Sequence, residues 1–252
     1  MEGLTATEYL PLPVLAVIVA VGVFAIVQSL FGVGLLLFGT PTLLLLGLPF
    51  ELVLAYLLPS SIVVSALQIA TSGGLTLEPI RRQFLVYTAP ALVAASACAL
   101  VLGSPHQVRH IVGVMLLLTA VMRLTPSKAS LTSFVRRHLR AFMLGLGIVH
   151  GVSNLGGGIL TVVVGSCYED KVSIRRHIAF AYGTMATIQL VVLFVTGMPA
   201  LYLPLWLLLP VLAGATFLLL GQRVFRGASQ GLYQHGLTAI IMSFAVVILS
   251  AA

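Results

Sequence analysis

Seven apolar runs recur along the chain, at 12–30, 52–70, 84–102, 111–124, 178–195, 201–220 and 232–250. A bilayer crossing needs about 20 mostly apolar residues. In lipid every backbone N–H and C=O must be satisfied within the protein, so runs of this length read as helices. The expected fold class is all-α, a polytopic membrane protein. Only 8% of the residues are charged, against roughly 25% in a soluble domain, so no soluble domain is expected. The N-terminus carries Glu2 and Glu8 and lacks the basic start of a cleavable signal peptide, so the first apolar run is expected to be retained. The net charge of +7 does not call for nucleic acid, because Lys and Arg in such a chain mostly anchor cytoplasmic loops. Cys98 and Cys167 show neither metal spacing nor a disulfide framework. No metal, cofactor or catalytic residue is expected.

The positive charges constrain the path of the chain. If 141–165 is one span, eight crossings leave six Lys and Arg on one side and seven on the other, which violates the positive-inside rule in either orientation. The stretch "HGVSNLGGGILTVVVG" (150–165) suggests a remedy. If 141–165 enters from the cytoplasm, breaks at its glycines and returns, and the first apolar run does the same from outside at "FGVG" (31–34), only Arg109 lies outside. The other twelve of the 13 Lys and Arg then lie inside. Both termini are expected outside, in the inner membrane of a bacterial cell.

Each half becomes one re-entrant hairpin plus three crossings, so the second half is inverted relative to the first. Inverted repeats are a construction rule of many secondary transporters. The expected layout is a first repeat at 1–125, a basic cytoplasmic linker at 126–140 and a second repeat at 141–252. A shift of 124 places Ser29, Gly32, Gly34, Leu36, Ala55 and Gly73 on Ser153, Gly156, Gly158, Leu160, Ala179 and Gly197, with Ser60 on Thr184. The count is close to chance in so apolar a chain; the weight lies in its falling on the breaks.

Irregular backbone at membrane depth is tolerated only where it is buried or lines a cavity. Two breaks meeting there would begin helices at Leu35 and Ile159, each presenting free N–H groups and the positive end of its dipole. That is an uncharged cradle for an anion. The expected binding residues are Ser29, Gly32, Gly34, Ser60, Ser153, Asn154, Gly156, Gly157, Gly158, Thr184 and Gln189, with His150 as a candidate proton carrier. Ser61, Ser65, Gln68, Thr161, Tyr182 and Thr187 complete the polar lining, and Pro41 and Pro59 are expected to interrupt the first half further. Each has a plainer reading. Serine and threonine often bond back to their own helix, a lone histidine is more often structural, and Gly22, Gly145 and Gly147 read as helix-packing positions. Arg81, Arg82, Arg136 and Arg137 read as topology anchors.

The segments "GVGLLLFGTPTLLLLGLPFELVLAYLLPSS" (32–61) and "GVSNLGGGILTVVVGSCYEDKVSIRRHIAFAYGT" (151–184) resemble the sulfite exporter TauE/SafE family, also called the toluene sulfonate uptake permease family. That family has, once per half, a glycine-rich segment of the form GxGGG, then P-x-L, then an alanine and a Ser/Thr in the next helix. Two departures stand out. Val33 interrupts the first glycine triplet, and Gly165 stands where the second proline would fall. The resemblance implies transport of sulfite, organosulfonates or related small organic anions, in agreement with the cradle. A passive anion channel is the alternative. An intramembrane serine protease, with Ser153 and either His150 or His177, is disfavoured because no second motif places the base. No P-loop is present, so direct use of ATP is not expected. The expected partners are a small anion and the lipid bilayer; self-association into a homo-oligomer is left open.

Overall fold

The computed structural model describes residues 12–74, 79–102, 114–115, 117–119, 121–122 and 128–250. Arg109 and Arg123, with half of the 111–124 run, lie outside the described residues, as do Glu2 and Glu8. The described chain is all-helical. In the first half come α1 (Leu12–Phe31), α2 (Leu35–Leu45), α3 (Phe50–Thr71) and α4. The last is built from Pro79–Gln83, a π-helical turn Phe84–Thr88 and Ala89–Leu102. Then follow α5 (Lys128–Arg137), α6 (Leu139–Ser153), α7 (Gly157–Cys167) and α8 (Lys171–Thr196). The helix α9 joins Leu203–Thr216, a second π-helical turn Phe217–Gly221 and Gln222–Gly227, and α10 is Gln230–Ser250.

Among the described residues five helices are long and apolar enough to cross a membrane: Val14–Phe31, Phe50–Thr71, Ile80–Val101, Lys171–Thr196 and Leu203–Gly227. By contrast α2 and α7 have 11 residues each and α6 has 15. At 1.5 Å per residue, α2 and α7 are each only about half the length of a span. Both short helices lie deep: Leu35, Leu36, Leu37, Phe38, Leu160 and Val163 are buried. The outward faces are apolar instead, with Leu15, Val19 and Val23 on α1, Val191 and Val195 on α8, and Leu207, Val211 and Leu218 on α9 exposed. An apolar exterior around an interior that also buries Gln28, Ser61, Gln68, Asn154 and Gln189 is the pattern of a chain solvated by lipid.

The central pairing is α3 on α8. Around it α1 packs on α9 and its π-turn, while α6 packs on α4 and its π-turn. Helix α9 also packs on α3, and α4 on α8. Exchanging α1, α2, α3 and α4 for α6, α7, α8 and α9 therefore returns these pairings. The first helix of each set of four thus packs against the fourth helix of the other set.

Pro41 and Pro59 lie inside α2 and α3, which continue through them. The expected interruption does not occur. A helical proline lacks the N–H that would reach the carbonyl four residues back, so Pro59 releases the Ala55 carbonyl. The Trp206 indole N–H on α9 donates to that oxygen at 3.0 Å, which restores the lost bond across the helix interface.

The basic segment after the first half is helical over its described part. Val135 of α5 is buried, and the Arg136 guanidinium donates to the Ser166 carbonyl at 2.7 Å, at the C-terminal end of α7. Arg136 is thus a helix cap as well as a surface cation. Lys171 does the same for α9, donating to the carbonyls of Phe225 at 3.2 Å and Ala228 at 2.5 Å. Asp170 caps α8 through Ser173 N–H at 2.8 Å. Burial pushes its carboxyl up, and the hydrogen bonds around Ser173 more than reverse this, so it sits below its ordinary value. Of the glycines read as packing positions, Gly147 is one: a Cβ there would overlap the Thr88 carbonyl and lie 2.9 Å from the Ala91 Cβ. Gly22 and Gly145 are not, since a Cβ at either meets nothing within 4 Å.

Candidate functional site

The first break follows Phe31. Gly32 turns the chain with φ +83, which favours glycine. Gly34 has extended backbone but lies so close to α1 that a Cβ would overlap the Gln28 N and approach the Phe24 carbonyl oxygen to 2.7 Å. Three carbonyls at the end of α1 accept from side chains. Gln68 Nε2 donates to Gln28 O at 2.6 Å, Arg175 Nη1 to Ser29 O at 3.2 Å, and the Tyr233 hydroxyl to Phe31 O at 3.3 Å. The Gln28 amide is the hub. Its Nε2 lies 3.1 Å from Ser61 O and 3.2 Å from the Ser65 hydroxyl, and its Oε1 accepts from Leu35 N–H at 3.2 Å. Ser61, Ser65 and Gln68 thus form the polar stripe of α3 that clamps the break.

Arg175, one of the twelve cations expected on the cytoplasmic side, is not a free loop cation. It is 1% exposed and lies in α8. Its guanidinium reaches Ser29 O, Gln222 Oε1 at 3.2 Å and Ser72 Oγ at 3.0 Å, and covers the Phe225 ring at 3.4 Å from the centroid. A cation at the C-terminal end of α1 also meets the negative end of that helix dipole.

The second break is built differently. The chain reverses at Asn154, which adopts the left-handed conformation (φ 62), one of the few residues besides glycine to do so readily. The glycine triplet is not itself the reversal. Gly156 is the cap of α7, and Gly157 and Gly158 form its first turn, so this helix starts two residues before the expected Ile159. The first helix starts at Leu35, as expected. Ser153 donates to Val149 O at 2.6 Å and accepts from Leu155 N–H at 3.3 Å. Gln189 Nε2 on α8 donates to His150 O at 3.1 Å.

Among the described residues no side chain hydrogen-bonds to the N–H groups at the start of α7, where Gly158 N–H donates to Leu155 O at 3.3 Å. Around its start, all fully or almost fully buried, lie polar atoms with no partner at ordinary hydrogen-bond geometry among the described residues: His150 Nδ1 and Nε2, Asn154 Oδ1 and Gln189 Oε1, the Gln189 side chain standing beside the imidazole. The imidazole faces the glycines, since a Cβ on Gly156 would lie 3.0 Å from His150 Nδ1. Buried polar groups are normally paired, so a concentration of unpaired ones beside an uncapped helix start is the chemistry of a binding site. At the first break the helix start is occupied: Gln28 takes Leu35 N–H, and the Tyr182 hydroxyl takes Leu37 N–H at 2.9 Å.

The two breaks touch. Asn154 Nδ2 donates to the Thr40 hydroxyl of α2 at 2.8 Å. A Cβ on Gly157 would lie 3.2 Å from Val33 Cγ1 and 2.9 Å from the Tyr182 ring. Asn154, Gly156, Gly157, Gln189 and His150 are therefore brought together, with Ser153 bracing them. Gly158 faces elsewhere, against the Thr119 side chain. Ser29 donates to Ala25 O at 2.6 Å and abuts Gly221, Ser60 donates to Tyr56 O, Thr161 to Gly158 O, and Thr184 to Phe180 O at 2.8 Å. These hydroxyls are spent on their own helices. Thr187 bonds to Gly183 O on an exposed face and does not line the interior. Sequence reasoning missed Gln28 and Arg175. A glutamine at the end of an apolar run was the one available sign for the first, while Arg175 merged into the cationic cluster of its neighbours.

No curated protein and no solved structure matches the chain. The family model described as "Sulfite exporter TauE/SafE" matches residues 15–248, nearly the whole length, together with the apolar helices and the paired broken segments. The chain belongs to the sulfite exporter TauE/SafE family of membrane transporters.

Proposed function

We propose that this chain is a secondary transporter of sulfite, organosulfonates or related small sulfur-containing anions, with the substrate bound at the start of α7 where the two breaks meet. The observation that carries this reading is the uncapped, buried start of α7 beside the unpaired polar atoms of His150, Asn154 and Gln189. Free N–H groups and the positive dipole end attract an anion, while the absence of a permanent cation there lets it leave. Ser153, Gly156 and Gly157 shape the site, with Gly158 packed behind it against Thr119. Gly32 and Gly34 shape the first break, while Ser29, Ser60 and Thr184 bond to their own helices.

In this reading each half is an inverted repeat of one re-entrant hairpin and three crossings, and both termini face outward in the bacterial inner membrane. The exchange of packing partners between halves supports the repeat. Rocking of one half on the other about the α3–α8 contact would open the site to alternate sides.

Two measurements test the proposal. Calorimetry on the detergent-purified protein should show sulfite and methanesulfonate binding. Hydrogen bonds to a charged partner are worth about 1.5–3 kcal/mol, so Asn154→Ala and Gln189→Ala should each weaken binding roughly tenfold to a hundredfold. Arg140→Ala, at an exposed site, should leave affinity unchanged. Loss of binding in the arginine variant alone would move the site to the basic loops. The topology is read separately by a cysteine at Ser173 in a protein lacking Cys98 and Cys167. It should react with a membrane-impermeant maleimide from the cytoplasmic side only, and periplasmic labelling overturns the inverted arrangement.

A further inference from the structure

Tyr182 of α8 is wholly buried, and its ring lies between the two broken segments. Its hydroxyl oxygen accepts from Leu37 N–H at 2.9 Å, and the backbone of Gly34 and Leu36 also faces it. On the other side the same oxygen lies 3.4 Å from the Cβ position of Gly157, and the ring stands edge-on to His150 with centroids 6.0 Å apart. The oxygen therefore lies between the start of α2 and the first turn of α7. Its only hydrogen bond among the described residues is one it accepts. Its own O–H proton has no acceptor there, within a site whose other unpaired groups are those of His150, Asn154 and Gln189.

We propose that Tyr182 is a substrate-binding residue, whose hydroxyl donates to the anion held at the start of α7 while accepting from the amides at the start of α2. This rests on the anion site proposed above and assigns it a donor from outside both glycine segments. Two features of the geometry favour donation over simple capping of α2. A hydroxyl that accepts from amides becomes a stronger donor, because hydrogen bonds in a chain polarise one another. A buried O–H without an acceptor is also costly unless a ligand supplies one. Through this one oxygen the dipoles of both short helices act on a single anion. The neutral phenol does so without a fixed positive charge, which would be expensive at membrane depth and would slow release. Selectivity follows as well: an oxyanion that presents an acceptor oxygen toward α2 gains this bond, and a halide without directed lone pairs gains less.

The test uses the full-length protein in detergent, with sodium sulfite and sodium methanesulfonate as probes. Tyr182→Phe keeps the ring against Gly157 and removes the donor. Calorimetry is expected to show affinity reduced roughly tenfold to a hundredfold, the range for a hydrogen bond to a charged partner. The wild-type protein should show a tyrosine near-ultraviolet difference band on sulfite addition, which Tyr182→Phe lacks. Unchanged or tighter binding in Tyr182→Phe overturns the proposal, since a hydroxyl that only caps α2 leaves the anion without a lost partner. If Tyr182→Phe does not fold, the chain with 3-fluorotyrosine at every tyrosine decides. Its more acidic phenol should tighten sulfite binding, and unchanged or weaker binding overturns the role. If Asn154→Ala and Gln189→Ala weaken binding while Tyr182→Phe does not, only the tyrosine assignment fails. If the intact protein binds neither probe, both proposals fail.

Discussion

Gly34→Ala is expected to destabilise the protein by about 3 kcal/mol, at the upper end of the cost of overpacking a closed interior. The reason is what the added methyl would meet. Its neighbours are the Gln28 N, the Phe24 carbonyl oxygen at 2.7 Å and the Gln28 Cα at 2.9 Å. These are backbone atoms of α1, and they cannot rotate away as a side chain end could. Either α1 or α2 must shift, and α2 is held from its far side by Tyr182 and Asn154. For a chain of this length about 3 kcal/mol corresponds to a fall in melting temperature of roughly 6–12 °C. Gly145→Ala is the matched control, because its Cβ would meet nothing within 4 Å. In a helix interior it should be neutral or stabilising by up to about 1 kcal/mol. Thermal unfolding of the two purified variants, followed by intrinsic fluorescence, is the measurement. Equal melting temperatures would show that α1 and α2 do not approach as described.

Arg175→Ala is expected to have the second large effect, again about 3 kcal/mol. Three hydrogen bonds to a buried guanidinium, each worth about 1.5–3 kcal/mol, are offset in part by the cost of desolvating the cation. Its removal leaves Ser29 O with only the long bond from Gln68 Nε2 at 3.4 Å, at a helix end with no following turn to supply a backbone N–H donor. Arg175→Lys should recover little of the loss. An ammonium cannot span Ser29, Gln222 and Ser72 together, nor lie flat over Phe225 as the planar guanidinium does. Full recovery in the lysine variant, measured by the same unfolding assay, would mean that charge alone matters there.

Much of the architecture is legible without coordinates because a bilayer leaves few choices. A run of some 20 apolar residues must be helical, whatever its neighbours, so α1, α3, α4, α8 and α9 follow from the sequence. The breaks are legible for a related reason. Positive φ and close backbone approach are demands that only a few residue types meet, and Gly32, Gly34 and Asn154 are of those types. The family could be recognised from the same residues, since they are the ones the chain cannot exchange.

What the tertiary structure decided is which polar groups remain free. Ser29, Ser60, Thr161 and Thr184 look like ligands in the sequence, but each has its own helix carbonyl within reach and uses it. Gln189 and Asn154 each spend one end on the protein and keep the other unpaired. No local rule separates these outcomes. The difference between the two breaks is likewise non-local: α2 starts against a glutamine seven residues before it and a tyrosine 145 residues after Leu37, whereas among the described residues no side chain bonds to the start of α7. Pro59 makes the same point, since its cost depends on an indole 151 residues from the carbonyl it frees. Helix formation in lipid is a local obligation of the backbone, readable from a window of sequence. The pairing of a buried side chain depends on which distant residue reaches it, and that is settled only when α3 and α8 close upon each other.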